Sequence, residues 1–156
     1  MKSDLDIIDR HILETVQNDA RISAEELGKR IGLSPTAALK RLKKLRSQGV
    51  IERDVALIKP EALGQSVQMM VAVSLARESA QIVDRFKRAI INEPRILDGY
   101  FVTGEMDFLL LVIAKDMADY EAFTREFFYS NQGVETVKTW VVLSQVKRMG
   151  PVPLDL

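Results

Sequence analysis

The chain has 156 residues, 47% of them hydrophobic, with 22 basic and 22 acidic side chains, so its formal charge at neutral pH is zero. That length suits one large domain or two small ones, and no apolar run is long enough to cross a membrane. The absence of cysteine excludes disulfides, thiolate chemistry and cysteine-bound zinc.

The first helix is expected over Leu5 to Gln17, where Leu5, Ile8, Ile12, Leu13 and Val16 recur at helical spacing. Ser3 with Asp6 resembles a capping box. Asp4, Asp6, Asp9 and Arg10 interrupt the apolar stretch a signal peptide needs, and the expected location is the cytoplasm. Ser23-Ala-Glu-Glu26 opens a second, short helix through Leu27 to Ile31, and Gly32-Leu33 makes a tight turn. A third helix starts at Ser34, whose hydroxyl suits an N-cap, with Pro35 at the first helical position and Gly49 as the left-handed exit. On a wheel of about 100° per residue, Leu39, Leu42 and Leu45 gather with Ala38 on one side. Thr36, Ala37, Lys40, Lys43 and Lys44 gather on the other, with Arg41 at the flank.

The neutral total hides an asymmetry. Residues 1–60 carry 12 basic and 9 acidic side chains, net +3, whereas residues 61–156 carry 10 and 13, net −3. No acidic residue stands between Leu27 and Ile51. Three short helices, the last two flanking a glycine-containing turn, describe a helix-turn-helix whose third helix fits the major groove of DNA. A small helical domain with a solvated lysine face has the same periodicity.

After Gly49 the pattern changes. Val55 to Ile58 reads as a brief strand with no neighbour to pair with, either a small wing or a strand that joins another copy of the chain. Residues 59–66 look like a boundary segment. From Val67 the order is strand, helix, strand, then strand, helix, strand. The strands are expected at Val67 to Leu75, Ile96 to Thr103, Asp107 to Ala114 and Val134 to Val146. The helices are expected from Ser79 to Asn92 and from Asp116 onward, the second burying Met117, Tyr120, Phe123 and Phe127. Two such units describe a split βαβ, ferredoxin-like sandwich with helices on one face. The fold class is therefore α+β: an N-terminal three-helix helix-turn-helix domain of winged type (1–51), a linker with a short strand (52–66), and a ferredoxin-like βαββαβ sandwich (67–156). The second sheet face has no helix to cover it although the central strands are apolar on both sides, which points to dimerisation.

Several stretches, taken in this order and at these separations, carry a resemblance. They are Leu5-Asp-Ile-Ile-Asp-Arg-His-Ile-Leu13, Asp19-Ala-Arg-Ile-Ser23, Gly32-Leu-Ser-Pro35, Arg41-Leu-Lys-Lys-Leu45, Gly49-Val-Ile51, Val102-Thr-Gly-Glu-Met-Asp107 and Leu143-Ser-Gln-Val-Lys147. The chain resembles the leucine-responsive/asparagine-regulator (Lrp/AsnC, feast/famine) transcription regulators from end to end. The resemblance implies a helix-turn-helix, a connecting strand exchanged within a dimer, and a ferredoxin-like domain that binds amino acids. It also implies assembly into homodimers and into an octamer, a tetramer of dimers. The recognition helix is expected to read base edges of double-stranded DNA through Thr36, Ala37 and Lys40. Arg41, Lys43 and Lys44 would hold phosphates or bases, and Ser34 stands at the helix start. Members often carry Pro and Cys where Ala37 and Ala38 stand, so base preference does not carry over.

A second constellation is the turn Gly104 to Asp107. A carboxylate beside backbone N–H groups suits an amino acid, whose ammonium and carboxylate it would receive. A plain β-turn uses the same residues. Tyr100, Thr103, Thr136 and Thr139 are further effector candidates, and Met106 stands where the family frequently has an aromatic residue. One branch of the fold, the siroheme decarboxylases, is catalytic and relies on histidines in the C-terminal domain. This chain has one histidine, His11, in the first helix. No catalytic residue, metal ligand or cofactor is therefore expected, apart from an amino-acid effector. A regulator that takes no effector is the other reading, and the basic helix argues against a subunit that never touches DNA.

Overall fold

The computed structural model describes residues 5–76 and 79–154. These fall into two compact units, one within Met1–Leu57 plus Lys147–Leu156 and one within Ile58–Val146.

The first unit is helical. Helix α1 is Ile7–Asn18, and its N-cap is Asp6, whose carboxylate accepts from the Asp9 N–H at 2.8 Å. The expected role of Ser3 lies outside the described residues. Helix α2 is Ala24–Ile31, capped by the Ser23 hydroxyl accepting from the Glu26 N–H and ended by Gly32 at φ 71°. Helix α3 is Pro35–Ser47, capped by the Ser34 hydroxyl accepting from the Ala37 N–H. Each cap satisfies a donor that the helix itself leaves unpaired, at roughly 1 kcal/mol apiece. Ile12, Leu13 and Val16 of α1 close on Leu27 of α2 and on Ala38, Leu42 and Leu45 of α3. Gly28 sets how closely α2 and α3 meet, since a Cβ there would stand 2.6 Å from the Leu33 carbonyl oxygen.

One expectation for this half needs correction. Leu39 is 40% exposed, because the buried stripe of α3 runs through Ala38, Leu42 and Leu45 and leaves Leu39 at its margin. Val55 to Ile58 pairs with no strand among the described residues of this chain, and Val55, Leu57 and Ile58 are exposed, which leaves pairing with another copy as the open alternative. Residues 147–154 group with the helical unit, and Leu154 packs on the helical core.

The second unit opens with a 3₁₀ turn at Pro60–Leu63, then strand β1 (Val67–Leu75), helix α4 (Ala80–Asn92), strands β2 (Ile96–Phe101) and β3 (Phe108–Ala114), helix α5 (Met117–Phe123) and strand β4 (Val134–Val141). Between α5 and β4 the helix widens into a π-helical turn at Thr124–Tyr129. The sheet order is β2-β3-β1-β4 with every pair antiparallel, the arrangement expected of the sandwich. Met69, Val71 and Val73 of β1 and Phe108, Leu110 and Val112 of β3 turn to the helices, where Phe86, Phe123 and Phe128 are fully buried. Phe123 stacks on Phe127 at 5.3 Å and Arg95 lies over its ring at 4.5 Å. Met117 is half exposed, contrary to expectation, since it sits in the first turn of α5 ahead of the buried stripe.

The strand Val134 to Val146 is shorter than expected. β4 is an edge strand whose sole neighbour is β1, and β1 starts at Val67, so pairing runs out after Val142 donates to the Gln68 carbonyl at 2.8 Å. Beyond it Leu143 and Val146 are exposed. The sheet's other face carries Met70, Ala72, Leu109, Leu111 and Ile113, which the register aligns across β1 and β3. Tyr100 and Trp140 flank this row from β2 and β4. Among the described residues no helix covers it.

Candidate functional site

The first candidate site is the outer face of α3. With Ala38, Leu42 and Leu45 turned inward, Thr36, Lys40, Lys43 and Lys44 are exposed and Ala37 is half-buried. Among the described residues no ion pair engages Lys40, Lys43 or Lys44, so their charge is presented to solvent. The N-terminus of α3, at Ser34, adds the partial positive charge of the helix dipole at the same end of that face.

Arg41 is placed differently from its lysine neighbours. Its Nη1 meets Asp6 Oδ2 at 2.5 Å and Asp9 Oδ1 at 2.9 Å, and the Asp9 side chain is buried. The paired carboxylates hold the guanidinium pKa above its ordinary value. The Asp6 carboxyl is held below the usual carboxylate range, first by the Asp9 N–H and then by Arg41. Arg41 therefore ties α3 to the start of α1, a use that spacing along α3 gives no sign of. Arg46, at the far end, is likewise engaged, by Asp54 at 2.9 Å. His11 is exposed on α1.

The second candidate site lies around the turn between β2 and β3. Gly104 has φ 132°, a conformation that strains any L side chain. Val102 donates to the Asp107 carbonyl at 2.9 Å, and Asp107 donates to the Val73 carbonyl at 3.0 Å. The Asp107 carboxylate accepts the Leu75 N–H through Oδ2 at 2.7 Å. One carboxylate oxygen thus holds the turn against the end of β1, the plain-turn use that competes with ligand binding.

The other effector candidates do not converge in one place. Thr103 is exposed in the turn beside Gly104. Tyr100 aligns with Leu109, Ala72 and Lys138 across the uncovered face, three strand steps or roughly 14 Å from β4. Thr136 lies on that same face and lines a cavity of about 120 Å³ with Ala72, Ser74, Glu105, Met106, Lys138 and Trp140. Thr139 is on the opposite face, bonded to the Tyr120 hydroxyl at 2.5 Å in a separate groove with Met117 and Tyr129. Glu105 and Lys138 were not expected as site residues. The alternation of Thr136, Lys138 and Trp140 along β4 is the signal that would have found Lys138. A carboxylate and an ammonium at one small cavity, with two hydroxyls and an indole also in its lining, offer complementary charge to a zwitterion. Among the described residues no acidic, histidine or cysteine cluster could hold a metal ion.

Comparison with known proteins bears on both sites. Residues 5–52 match the family described as winged helix-turn-helix DNA-binding, and residues 68–152 match the Lrp/AsnC ligand binding domain. An uncharacterised HTH-type transcriptional regulator of Sinorhizobium fredii is 51% identical over 98% of this chain and 90% of its own length. The leucine-responsive regulatory protein of Escherichia coli is 38% identical over 93% of this chain and 88% of its own. Among solved structures, a transcriptional regulator of Neisseria meningitidis in complex with L-Met matches with a TM-score of 0.90 at 31% identity, covering 97% of each chain.

Proposed function

The chain belongs to the Lrp/AsnC family of transcriptional regulators, with a helix-turn-helix DNA-binding domain and a ligand-binding domain, and from that premise we propose how it works. The exposed face of α3 enters the major groove of double-stranded DNA. Thr36, Ala37 and Lys40 read base edges there, and Lys43 and Lys44 hold phosphates. The observation that carries this reading is the cationic face, free of ion pairs, on a helix capped at Ser34 and seated on a leucine stripe. Arg41 serves this face indirectly, by fixing α3 against α1. Selection from random duplexes tests the reading: one enriched motif is expected, and recovery of unrelated sequences would refute sequence-specific binding.

The uncovered sheet face is the dimer contact, and dimers assemble further, up to an octamer. A small amino acid binds by the Gly104 to Asp107 turn and modulates assembly or DNA affinity. The L-Met complex of the Neisseria regulator supports the ligand class. The cavity beside the turn supports an apolar side chain, since Met106 and Trp140 line it together with Glu105 and Lys138. The protein acts as a regulator and not as an enzyme, in the cytoplasm, where its DNA lies. Among the described residues no helix is long and apolar enough to cross a membrane.

A thermal-shift screen of the twenty amino acids tests ligand binding, because a ligand that binds the folded form raises its apparent stability. Asp107→Ala is a poor follow-up variant, since it orphans the Leu75 N–H at a cost of about 1–3 kcal/mol. Asp107→Asn keeps an acceptor there and removes only the charge. Unchanged ligand affinity in that variant would exclude Asp107 as the ammonium's partner, and no hit in the screen would favour a regulator without effector.

A further inference from the structure

The C-terminal residues do not stay with the sheet they follow. β4 ends at Val141, Leu143 and Val146 are each 97% exposed, and from Lys147 the chain lies with the helical unit. There Gln17 of α1 meets Val152 reciprocally. Its Nε2 donates to the Val152 carbonyl oxygen at 3.2 Å, and its Oε1 accepts the Val152 N–H at 2.6 Å. A carboxamide presents the same donor and acceptor as a peptide unit, so Gln17 pairs with the tail as a neighbouring strand would.

The tail is built for this. Pro151 and Pro153 flank Val152, which fixes φ on both sides and leaves Val152 the only N–H donor of the three. Met149 is the one described non-glycine residue with positive φ, at 38°, a strained conformation that persists where its surroundings dictate it. Leu154 completes the anchor by packing on the helical core. Beside the tail lies an apolar cavity of about 540 Å³, lined by Leu13, Val16, Val50 and Ile51 together with Val152 and Leu154 of the tail itself.

We propose that the chain's own C-terminal segment, seated on α1 through Gln17 and on the helical core through Leu154, is a detachable part of the DNA-binding unit. Docking covers part of the helical core and gives that unit a second chain connection to the sheet unit, residues 142–146, in addition to the connection at residues 57–58. The stability of the DNA-reading helices therefore depends on residues at the far end of the sequence.

The test begins with amide hydrogen exchange on the full chain. The Val152 amide should exchange at least about tenfold slower than in an unstructured peptide. Gln17→Ala, which removes two neutral hydrogen bonds, should remove about a factor of ten of that protection. A chain ending at Val146 should then bind a synthetic peptide of residues 147–156 saturably at millimolar concentration, the effective concentration a short tether supplies. Binding should shift the α1 resonances of Leu13 and Val16 and raise the melting temperature of the helical signal. Exchange of Val152 at the unstructured rate in the wild type would overturn the proposal, as would protection that Gln17→Ala leaves unchanged. A folded truncated chain whose α1 resonances ignore the peptide would overturn it too. If the truncated chain does not fold, the exchange comparison on the full-length proteins decides.

Discussion

Gly28→Ala sets two effects of opposite sign against each other. In a helix interior alanine is favoured over glycine by about 1 kcal/mol, so propensity alone gives a more stable α2. The built Cβ, however, stands 2.6 Å from the Leu33 carbonyl oxygen and 3.3 Å from the Pro35 nitrogen, and both neighbours are backbone. Neither can rotate aside as a side-chain end would, and Leu33 is itself tied to Gly28 by its N–H donating to the Gly28 carbonyl at 2.9 Å. Overpacking of this kind costs about 1–3 kcal/mol, more where the clash is with backbone. The net result is a loss of about 1–2 kcal/mol and a melting temperature lower by about 4–15 °C for a unit of this size. The two units can be followed separately, because the single tryptophan, Trp140, reports the sheet unit and far-UV circular dichroism weights the helical one. Gly28→Ala should move the helical transition and leave the Trp140 transition in place. DNA affinity should fall as well, since α3 is displaced from α2. A helical transition that moves upward would refute the close-packing argument and return Gly28 to an incidental residue.

Acid should destabilise both units through their paired carboxylates. Asp6 is held below its usual 3.8 by the Asp9 N–H and Arg41, and Glu93 below its usual 4.5 by the Arg95 guanidinium. A depressed carboxylate contributes stability above its unfolded value and loses it as pH falls through the folded one. Urea midpoints should therefore drop below about pH 4, and Asp6→Asn and Glu93→Gln should flatten the helical and tryptophan profiles respectively. Leu111→Asp puts a charge in the middle of the uncovered sheet face and should weaken self-association by about two orders of magnitude. Sedimentation velocity that finds wild-type assembly in this variant would place the dimer contact elsewhere.

What the sequence made legible was the chemistry that acts over a few residues. Ser23, Ser34, Ser79 and Asp116 cap helices as their spacing implies, because a cap and its N–H partner are three residues apart. The β-strands follow from alternation, and the sheet order follows from the repeat of strand, helix and strand. Interactions between distant residues were not legible. Arg41 reads as one more cation on a basic helix until Asp9, 32 residues earlier, is seen beneath it. Gln17 and Val152 are 135 residues apart and neither stands out locally. The Gly104 to Asp107 turn was visible, whereas the Leu75 N–H that its carboxylate holds was not. Thr136 and Thr139 differ by three along a strand, so alternation alone already places them on opposite faces of the sheet.

The central claim is that the outer face of α3 holds DNA phosphates, and the salt dependence of binding tests it most directly. Wild-type protein and the Lys40→Ala/Lys44→Ala variant are titrated on the selected duplex across a range of salt concentrations. Each phosphate that no longer meets a lysine should reduce the slope of log K against log salt by about one, so the double variant should bind more weakly with a slope shallower by about one to two. Its helical melting transition should stay where it was, since both lysines are exposed and outside the core. A variant that keeps both the wild-type affinity and the wild-type slope would contradict the account and move the DNA interface away from α3.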